Sequence, residues 1–131
     1  MNCLDELDKL NLPVEDYAIC GSGPLAVRGL RENKDIDIVV RRRLWDELKQ
    51  KHEIHKGKEG VKIRIGVIDI WPQIYGLDVY TVINHADIIS GNRFITPEDT
   101  IAWKKKQGRA KDLDDIRLIQ EYLKTRQTLE E

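Results

Sequence analysis

CGSGPLAVRGLRENKDIDIVV, residues 20–40, carries the densest group of chemically informative residues in the chain. Just before it, the apolar run Tyr17–Cys20 predicts a strand that stops at the turn Gly21-Ser22-Gly23. Glycines permit a tight turn and a close backbone approach that a Cβ atom would block. Ser22 suits the N-cap of the short helix that follows, and a helix N-terminus offers unpaired N–H groups to an anion. The turn therefore predicts a phosphate-binding segment.

The end of the segment, Asp35 to Val40, alternates acidic and aliphatic residues and predicts a strand. Asp35 and Asp37 would lie on one face of that strand, opposite the isoleucines. Their Cα atoms would be about 6.5–7 Å apart, close enough for both carboxylates to share a pair of cations. A solvated strand face would show the same alternation. However, a phosphate-binding turn followed by a carboxylate pair is the combination that metal-dependent chemistry on a nucleotide requires.

The order of these two features resembles the signature of the nucleotidyltransferase superfamily related to DNA polymerase β. That signature is a hydrophobic residue, Gly-Gly or Gly-Ser, a spacer, and Asp-x-Asp between hydrophobic residues. Here it is matched by Gly21-Ser22, the spacer 23–34 and Asp35-Ile36-Asp37. Small or characteristic residues within the spacer are most similar to the branch of AbiEii-type toxins and small bacterial and archaeal nucleotidyltransferases: Ala26, Gly29 and Arg31.

The stretch from Pro97 to Ile116 is a second resemblance to the same superfamily. In the family's C-terminal region, a helix that bears a lysine leads through a small-residue and Arg turn to Lys-Asp-x-x-Asp. The matching residues here are Lys104, Arg109, Lys111, Asp112 and Asp115. Together the two motifs imply an α/β fold of the α+β kind, with a nucleotidyltransferase-like mixed β-sheet flanked by helices and a short C-terminal helical segment.

A third carboxylate on a neighbouring strand completes the two-metal site in the resembled family. Asp69 matches that position best, because it lies between Ile68 and Ile70 and points to the opposite side from them. Asp78 has similar hydrophobic neighbours and is the alternative. An exposed strand carboxylate would give the same local pattern in either case.

The resemblance also assigns roles to individual residues. Asp35, Asp37 and Asp69 would be catalytic and would hold Mg²⁺ or Mn²⁺, with Asp69 taking the proton of the acceptor hydroxyl. Gly21 and Ser22 would bind the β- and γ-phosphates. The departing pyrophosphate would be neutralised by a set of cations, with Lys104 as first choice: Lys104, Arg109, Lys111 and Arg31.

Length and charge set broader limits. A chain of 131 residues predicts one domain, 1–131, with the sheet in about 1–90 and helices in about 91–131. Charged residues make up 34% of the chain and sum to a formal net charge of −1, which excludes a general nucleic-acid binder because such a protein carries a basic excess.

The segment 1–10 is unlike a secretory signal, and no apolar run approaches the ~18 residues of a membrane span. Cys3 and Cys20 lack metal-ligand spacing. We therefore expect a cytoplasmic protein with free thiols and no membrane partner.

The remaining elements are predicted from periodicity and breaker residues. An opening helix carries Leu4, Leu7 and Leu10, and His85 would start a short helix. The C-terminal part would contain one helix capped by Thr96 and another over Lys111–Lys124. Other predicted elements are a helix over Leu44–His52 with Leu44, Trp45 and Leu48 inward, a strand over Gly60–Ile65 with Lys62 and Arg64 exposed or facing the cleft, a strand over Val67–Trp71, and an inward stripe of Leu113, Ile116, Ile119 and Leu123.

The function that follows from the resemblance is transfer of a nucleoside monophosphate from an NTP to an acceptor hydroxyl. Little of the chain remains to bind the acceptor, so it would be bound shallowly, by a homo-oligomer or by a protein partner. Three classes of acceptor stay open: an RNA 3′ end, a protein hydroxyl such as that of a toxin in a toxin–antitoxin pair, and a small molecule such as an aminoglycoside. The alternatives are a catalytically inactive nucleotide-binding or partner-binding module of the same fold, and a plain α+β interaction protein.

Overall fold

A computed structural model describes the backbone of residues 1–130 and the side chains of residues 1–126. Within this range the helices are α1 Leu4–Asp8, α2 Gly23–Ala26, α3 Arg42–Leu48, α4 Val79–Asn84, α5 Pro97–Gln107 and α6 Ala110–Glu130. The strands are β1 Tyr17–Cys20, β2 Ile36–Val40, β3 His55–Gly57, β4 Gly60–Ile65, β5 Ile68–Trp71, β6 Asp87–Ile89 and β7 Asn92–Phe94.

The strands form one sheet in the order β3-β4-β5-β2-β1-β7-β6. Strand β2 lies near its centre, antiparallel to β1 and parallel to β5. Strand β7 is parallel to β1, and the outer pairs are antiparallel. The predicted mixed sheet flanked by helices is therefore confirmed.

Alternation along the central strands gives the sheet two different faces. On one face, Ile36 and Ile38 pack with the isoleucines of β5 and with Leu7 of α1 and Trp45 of α3. Each such fully buried side chain contributes about 1.5–3 kcal/mol. On the other face a second cluster joins Val39 to residues of β1 and α4. The acidic positions of β2 and β5 share this second face, because side chains alternate along a strand.

Helix α5 begins at the cap that the sequence predicts. The Thr96 hydroxyl accepts a hydrogen bond from the Asp99 backbone N–H at 3.1 Å. Gly108, in the left-handed region at φ 66°, ends the helix.

The predicted inward stripe of α6 is correct only in its middle. Ile116 and Ile119 are buried, whereas Leu113 is 53% exposed. The buried positions of the first turns are instead Asp112 and Asp115. These aspartates face inward because they pair with buried and half-buried cations described below, a contact that hydrophobic periodicity does not detect.

Three other local expectations differ from the structure. Strands β6 and β7 were not expected, because three-residue strands are too short to show a period. The sheet consequently extends beyond residue 90, where the C-terminal helical segment was predicted to begin. His85 follows α4 as its C-cap and does not start a helix, because Asp78 caps the helix upstream.

Among the described residues, no helix combines the length and the apolar character that a membrane crossing needs.

Candidate active site

A single row of residues crosses four neighbouring strands of the sheet. Cys20 pairs with Asp37, Asp37 with Asp69, and Asp69 with Arg64. Neighbouring strands lie about 4.8 Å apart, so the row brings the two carboxylates side by side on one face. Asp35 directly precedes β2 and belongs to the same face. The predicted neighbour relation between the Asp-x-Asp strand and Asp69 is thus present.

Asp37 is held by contacts with Trp71 and with the Gly21 backbone. Its Oδ1 accepts a hydrogen bond from Trp71 Nε1 at 3.0 Å. A Cβ atom at Gly21 would collide with its Oδ2, which explains why a glycine stands there, at φ 63°. Burial raises the pKa of Asp37, the Trp71 hydrogen bond opposes that rise, and the neighbouring charge of Asp69 adds to it.

Two cations of β4 already neutralise the other carboxylates. Arg64 Nη1 lies 3.0 Å from each carboxylate oxygen of Asp69, and Lys62 Nζ lies 3.3 Å from Oδ2. The other terminal guanidinium nitrogen of Arg64, Nη2, lies 3.5 Å from Asp35 Oδ1. The hydrogen bonds to Asp69 and its negative charge raise the pKa of Arg64.

Asp78, the alternative third carboxylate, lies elsewhere. Its Oδ2 accepts hydrogen bonds from the Thr81 backbone N–H at 3.0 Å and from the Thr81 hydroxyl at 2.7 Å, so it caps α4. These hydrogen bonds lower its pKa. Asp69, and not Asp78, therefore stands beside Asp37.

The Gly21-Ser22 turn borders the row at the end of β1. Ser22 occupies the N-cap position of α2, but its hydroxyl makes no capping hydrogen bond. The Ser22 backbone carbonyl accepts from the N–H groups of Leu25 and Ala26. The predicted position of Ser22 is therefore correct, and its hydroxyl is not used by the helix.

Lys104, the first-choice phosphate cation, lies inside the protein. It is 3% exposed, and its Nζ lies 2.9 Å from Asp115 Oδ2 and 3.6 Å from Asp112 Oδ1. Arg31 also binds Asp115, through Nη1 at 2.6 Å. Arg109 binds Asp112 through Nε at 2.7 Å. These residues form a charge network with a buried centre of Lys104, Asp112 and Asp115, and it ties α5, α6 and the spacer 23–34 together.

Asp112 shows how strongly this network favours the charged carboxylate. Burial alone would raise its pKa, but hydrogen bonds from the Arg109 side chain and backbone, with the charges of Arg109 and Lys104, hold the pKa below its ordinary value.

Lys111 differs from the other predicted phosphate cations. Its side chain is exposed at the first turn of α6, and no carboxylate within the described residues pairs with it. Arg109 has a second partner in Glu59, at 3.0 Å. Of the four predicted phosphate-binding cations, Lys111 is therefore the most accessible to a ligand.

Two cavities open beside the row. The cationic compartment, of about 620 Å³, is lined by Gly21, Ser22, Arg31, Lys34, Lys104 and Asp115, among others. The aromatic compartment, of about 190 Å³, is lined by Trp71, Tyr75, Gln73, Ile74, Gln107 and Lys62, among others. Residues at the boundary belong to both: Asp37, Trp103, Arg109 and Lys111.

The carboxylates suit Mg²⁺ or Mn²⁺ by their chemistry, because both ions prefer oxygen ligands. Two cationic side chains, Arg64 and Lys62, already stand against these oxygens, which marks the position as one that attracts positive charge. Within residues 1–130, no three side chains of His, Cys, Asp or Glu converge as metal ligands do.

The sequence reasoning missed the role of Trp71 and left that of Arg64 and Lys62 open. The alternation of side chains along β5 and β4 does place all three residues on the face that carries Asp69. Trp71 lies two positions after Asp69 on β5 and so shares its face, and the residues of β4 with the same parity face it across the strand pair.

Comparison with known proteins bears on the fold. No protein-family model matches the chain, and no curated protein matches it in sequence. A solved structure is similar: the crystal structure of ANT(2″)-Ia, an aminoglycoside nucleotidyltransferase, in complex with adenylyl-2″-tobramycin. The TM-score is 0.53, with 18% sequence identity over 92% of this chain and 84% of that chain. At this identity the similarity establishes the architecture alone, and that architecture is nucleotidyltransferase-like.

Proposed function

We propose that the protein transfers a nucleoside monophosphate from an NTP to an acceptor hydroxyl in a metal-dependent reaction. The observation that carries the proposal is the register of Asp37 opposite Asp69, beside the Gly21-Ser22 turn. The nucleotidyltransferase-like fold supports it. The AbiEii-like branch is a finer assignment that stays a prediction.

Asp35, Asp37 and Asp69 would hold Mg²⁺ or Mn²⁺. When bound, such ions stabilise the charge on the phosphates and on the attacking and leaving oxygens. Burial and the negative charge of Asp69 raise the pKa of Asp37, so a bound cation would stabilise its ionised form.

The chain's own residues would handle the phosphates in the cationic compartment. The Gly21 backbone N–H and the Ser22 hydroxyl would bind the β- and γ-phosphates. Lys111, with Arg109, would neutralise the pyrophosphate as it departs. Lys104 and Arg31 would act indirectly. Both bind Asp115 and so fix the start of α6, which carries Lys111.

In the transfer step, the acceptor oxygen would bond to the α-phosphorus as the bond to the pyrophosphate oxygen breaks. The hydroxyl proton would pass to the Asp69 carboxylate. Proton transfer of this kind contributes typically about 10²–10⁴-fold.

The aromatic compartment would take the acceptor, because Asp37 and Asp69 line it, whereas Gly21 and Ser22 line the cationic compartment. Its size, about 190 Å³, favours one ring of a small molecule. The structural neighbour, which was crystallised with an adenylylated tobramycin, is in line with a small hydroxyl-bearing acceptor. An RNA 3′ end or a protein hydroxyl would bind more shallowly, with help from a protein partner or a second copy of the chain.

A second candidate is a nucleotide-binding or partner-binding module without turnover, for example in a toxin–antitoxin pair. The contacts of Arg64 and Lys62 with Asp69 favour it, since a neutralised carboxylate is a weaker base.

Thermal melting with each NTP, with and without Mg²⁺, separates these readings. We expect a Mg²⁺-dependent rise in Tm with at least one NTP, because a ligand at 100 times its Kd stabilises the folded state by about 2.7 kcal/mol. The rise should vanish in the double variant Asp35→Asn, Asp37→Asn. Labelled NTP then reports turnover. Binding without transfer selects the inactive nucleotide-binding module, and no rise with any NTP contradicts the transferase and selects a partner-binding module.

The Gly21→Ala variant tests the contact between the turn and Asp37. The new Cβ must displace the Asp37 carboxylate, so we expect Mg²⁺-dependent NTP binding to fall at least about tenfold, as when a metal ligand loses its orienting partner. Isothermal titration measures the change.

Gly29→Ala is the matched control. Gly29 also has a left-handed backbone, at φ 73°, but a Cβ there meets nothing within 4 Å. Both variants should lose about 1–2 kcal/mol from backbone strain, and only Gly21→Ala should lose NTP binding. Equal binding by the two variants would show that the Asp37 contact does not matter.

A further inference from the structure

Arg64 makes contacts that a purely structural surface arginine would not need. It bridges two of the three carboxylates, with Nη1 at 3.0 Å from both Asp69 oxygens and Nη2 at 3.5 Å from Asp35. Its side chain is 39% exposed, so the guanidinium is reachable from solvent. Strand β4 sets this position, because Arg64 lies directly opposite Asp69 in the β4–β5 pair.

We infer that Arg64 is an internal counter-ion that holds Asp35 and Asp69 in the metal-free protein and is displaced when a divalent cation binds. The inference rests on the proposed function, because it concerns the same three carboxylates. It goes further by assigning a positioning role to a residue of β4 that neither the motif nor the proposed reaction uses.

The charge of the site explains why an internal counter-ion is needed in the metal-free protein. Asp37 and Asp69 lie side by side on β2 and β5, Asp35 lies two residues before Asp37, and without cations their charges repel one another. A guanidinium binds two carboxylate oxygens at once and keeps its charge at any physiological pH. Arg64 therefore holds Asp35 and Asp69 together before the metal arrives.

Charge also explains why Arg64 must move. Mg²⁺ needs carboxylate oxygens at about 2.0–2.1 Å in near-octahedral geometry, and a guanidinium held against the same oxygens repels it. Lys62 adds a second positive charge on Asp69 but contacts one oxygen only, at 3.3 Å, and lies over the Trp71 ring at 5.3 Å from its centroid. Arg64 contacts two of the carboxylates and Lys62 contacts only one, which makes Arg64 the main competitor.

The test compares Arg64→Met with the wild type by titration with Mn²⁺ alone, followed by electron paramagnetic resonance of free Mn²⁺. We expect the Kd of the variant to be about tenfold lower, because the competing cation is gone. In EDTA the variant should melt below the wild type, and Mn²⁺ should raise its Tm by more than it raises that of the wild type.

Arg42→Met is the matched control, because Arg42 has an 83% exposed side chain, pairs with Asp46 and lies on α3 away from the row. It should leave the Kd for Mn²⁺ within twofold. Arg64→Lys, which keeps the charge but not the two-oxygen contact, should fall between wild type and Arg64→Met.

The outcomes separate the inference from the proposed function. If the wild type binds Mn²⁺ and Arg64→Met binds it equally or more weakly, the counter-ion role is wrong and the proposed function stands. If Arg64→Met is less stable by the same amount with and without Mn²⁺, its role is structural only. If neither protein binds Mn²⁺, alone or with ATP, the proposed function is overturned together with the inference.

Discussion

Replacing Asp37 with Asn is expected to lower nucleotide transfer at least about 10³-fold without unfolding the protein. The ion that this carboxylate would help to hold is worth several kcal/mol in the transition state, and each 1.36 kcal/mol is a factor of ten in rate. The variant should melt at the same temperature as the metal-free wild type or higher. The reason is that Asn Oδ1 can still accept from Trp71 Nε1, while a buried negative charge beside Asp69 is removed.

The control for this experiment is Asp78→Asn, which removes an acidic residue that is exposed and caps α4. It should keep full transfer activity and lose only about 0.5–1 kcal/mol of stability, because Asn is itself a good cap. Initial rates with labelled NTP and thermal melting in EDTA give both quantities. If Asp37→Asn retains more than a tenth of the wild-type rate, Asp37 is not a metal ligand of the reaction.

Replacing Lys104 with Met is expected to destabilise the fold by about 3 kcal/mol, and to lower Tm by roughly 10 °C. The substitution leaves Asp112 and Asp115 buried with less compensation, although Arg109 and Arg31 remain. Removal of one partner from a buried ion pair typically costs about 3–5 kcal/mol, so the remaining arginines put the expected loss at the lower end. Chemical denaturation at pH 7 measures it.

Lys105→Met is the matched control, because Lys105 is the exposed neighbour of Lys104 on the same helix. Its effect should stay within about 0.5 kcal/mol. The double variant Lys104→Met, Asp115→Asn should recover part of the loss, since it removes one uncompensated charge. A stable Lys104→Met protein that has lost NTP binding would instead make Lys104 a direct phosphate ligand.

The central strands were predictable from sequence because their signal is local. Alternation in the segment 35–40 and around Asp69 fixes which side chains are buried, and the structure confirms the strands and the inward isoleucines. The pairing of β2 with β5 follows from the resemblance and not from alternation, because periodicity names no partner strand.

The charge network of α6 was not predictable in the same way. Asp112 and Asp115 carry the polarity of an exposed helix face, and only the tertiary contact with Lys104 makes them buried. The same holds for Arg64, whose contact with Asp69 depends on the register of β4. These ion pairs join residues of two packed elements, and the periodicity within one element does not show which residues of the two will meet.

The row from Cys20 to Arg64 makes formation of the site depend on the correct register of the strands. If β5 slipped by one residue against β2, Ile68 or Ile70 would take the place of Asp69, and Asp69 would turn into the isoleucine cluster. A carboxylate is costly there, so misregistered molecules would be unstable as well as inactive. The activity of a preparation should therefore be proportional to its fraction of correctly folded molecules. A substitution in the core would change that fraction and leave the turnover number of each folded molecule the same.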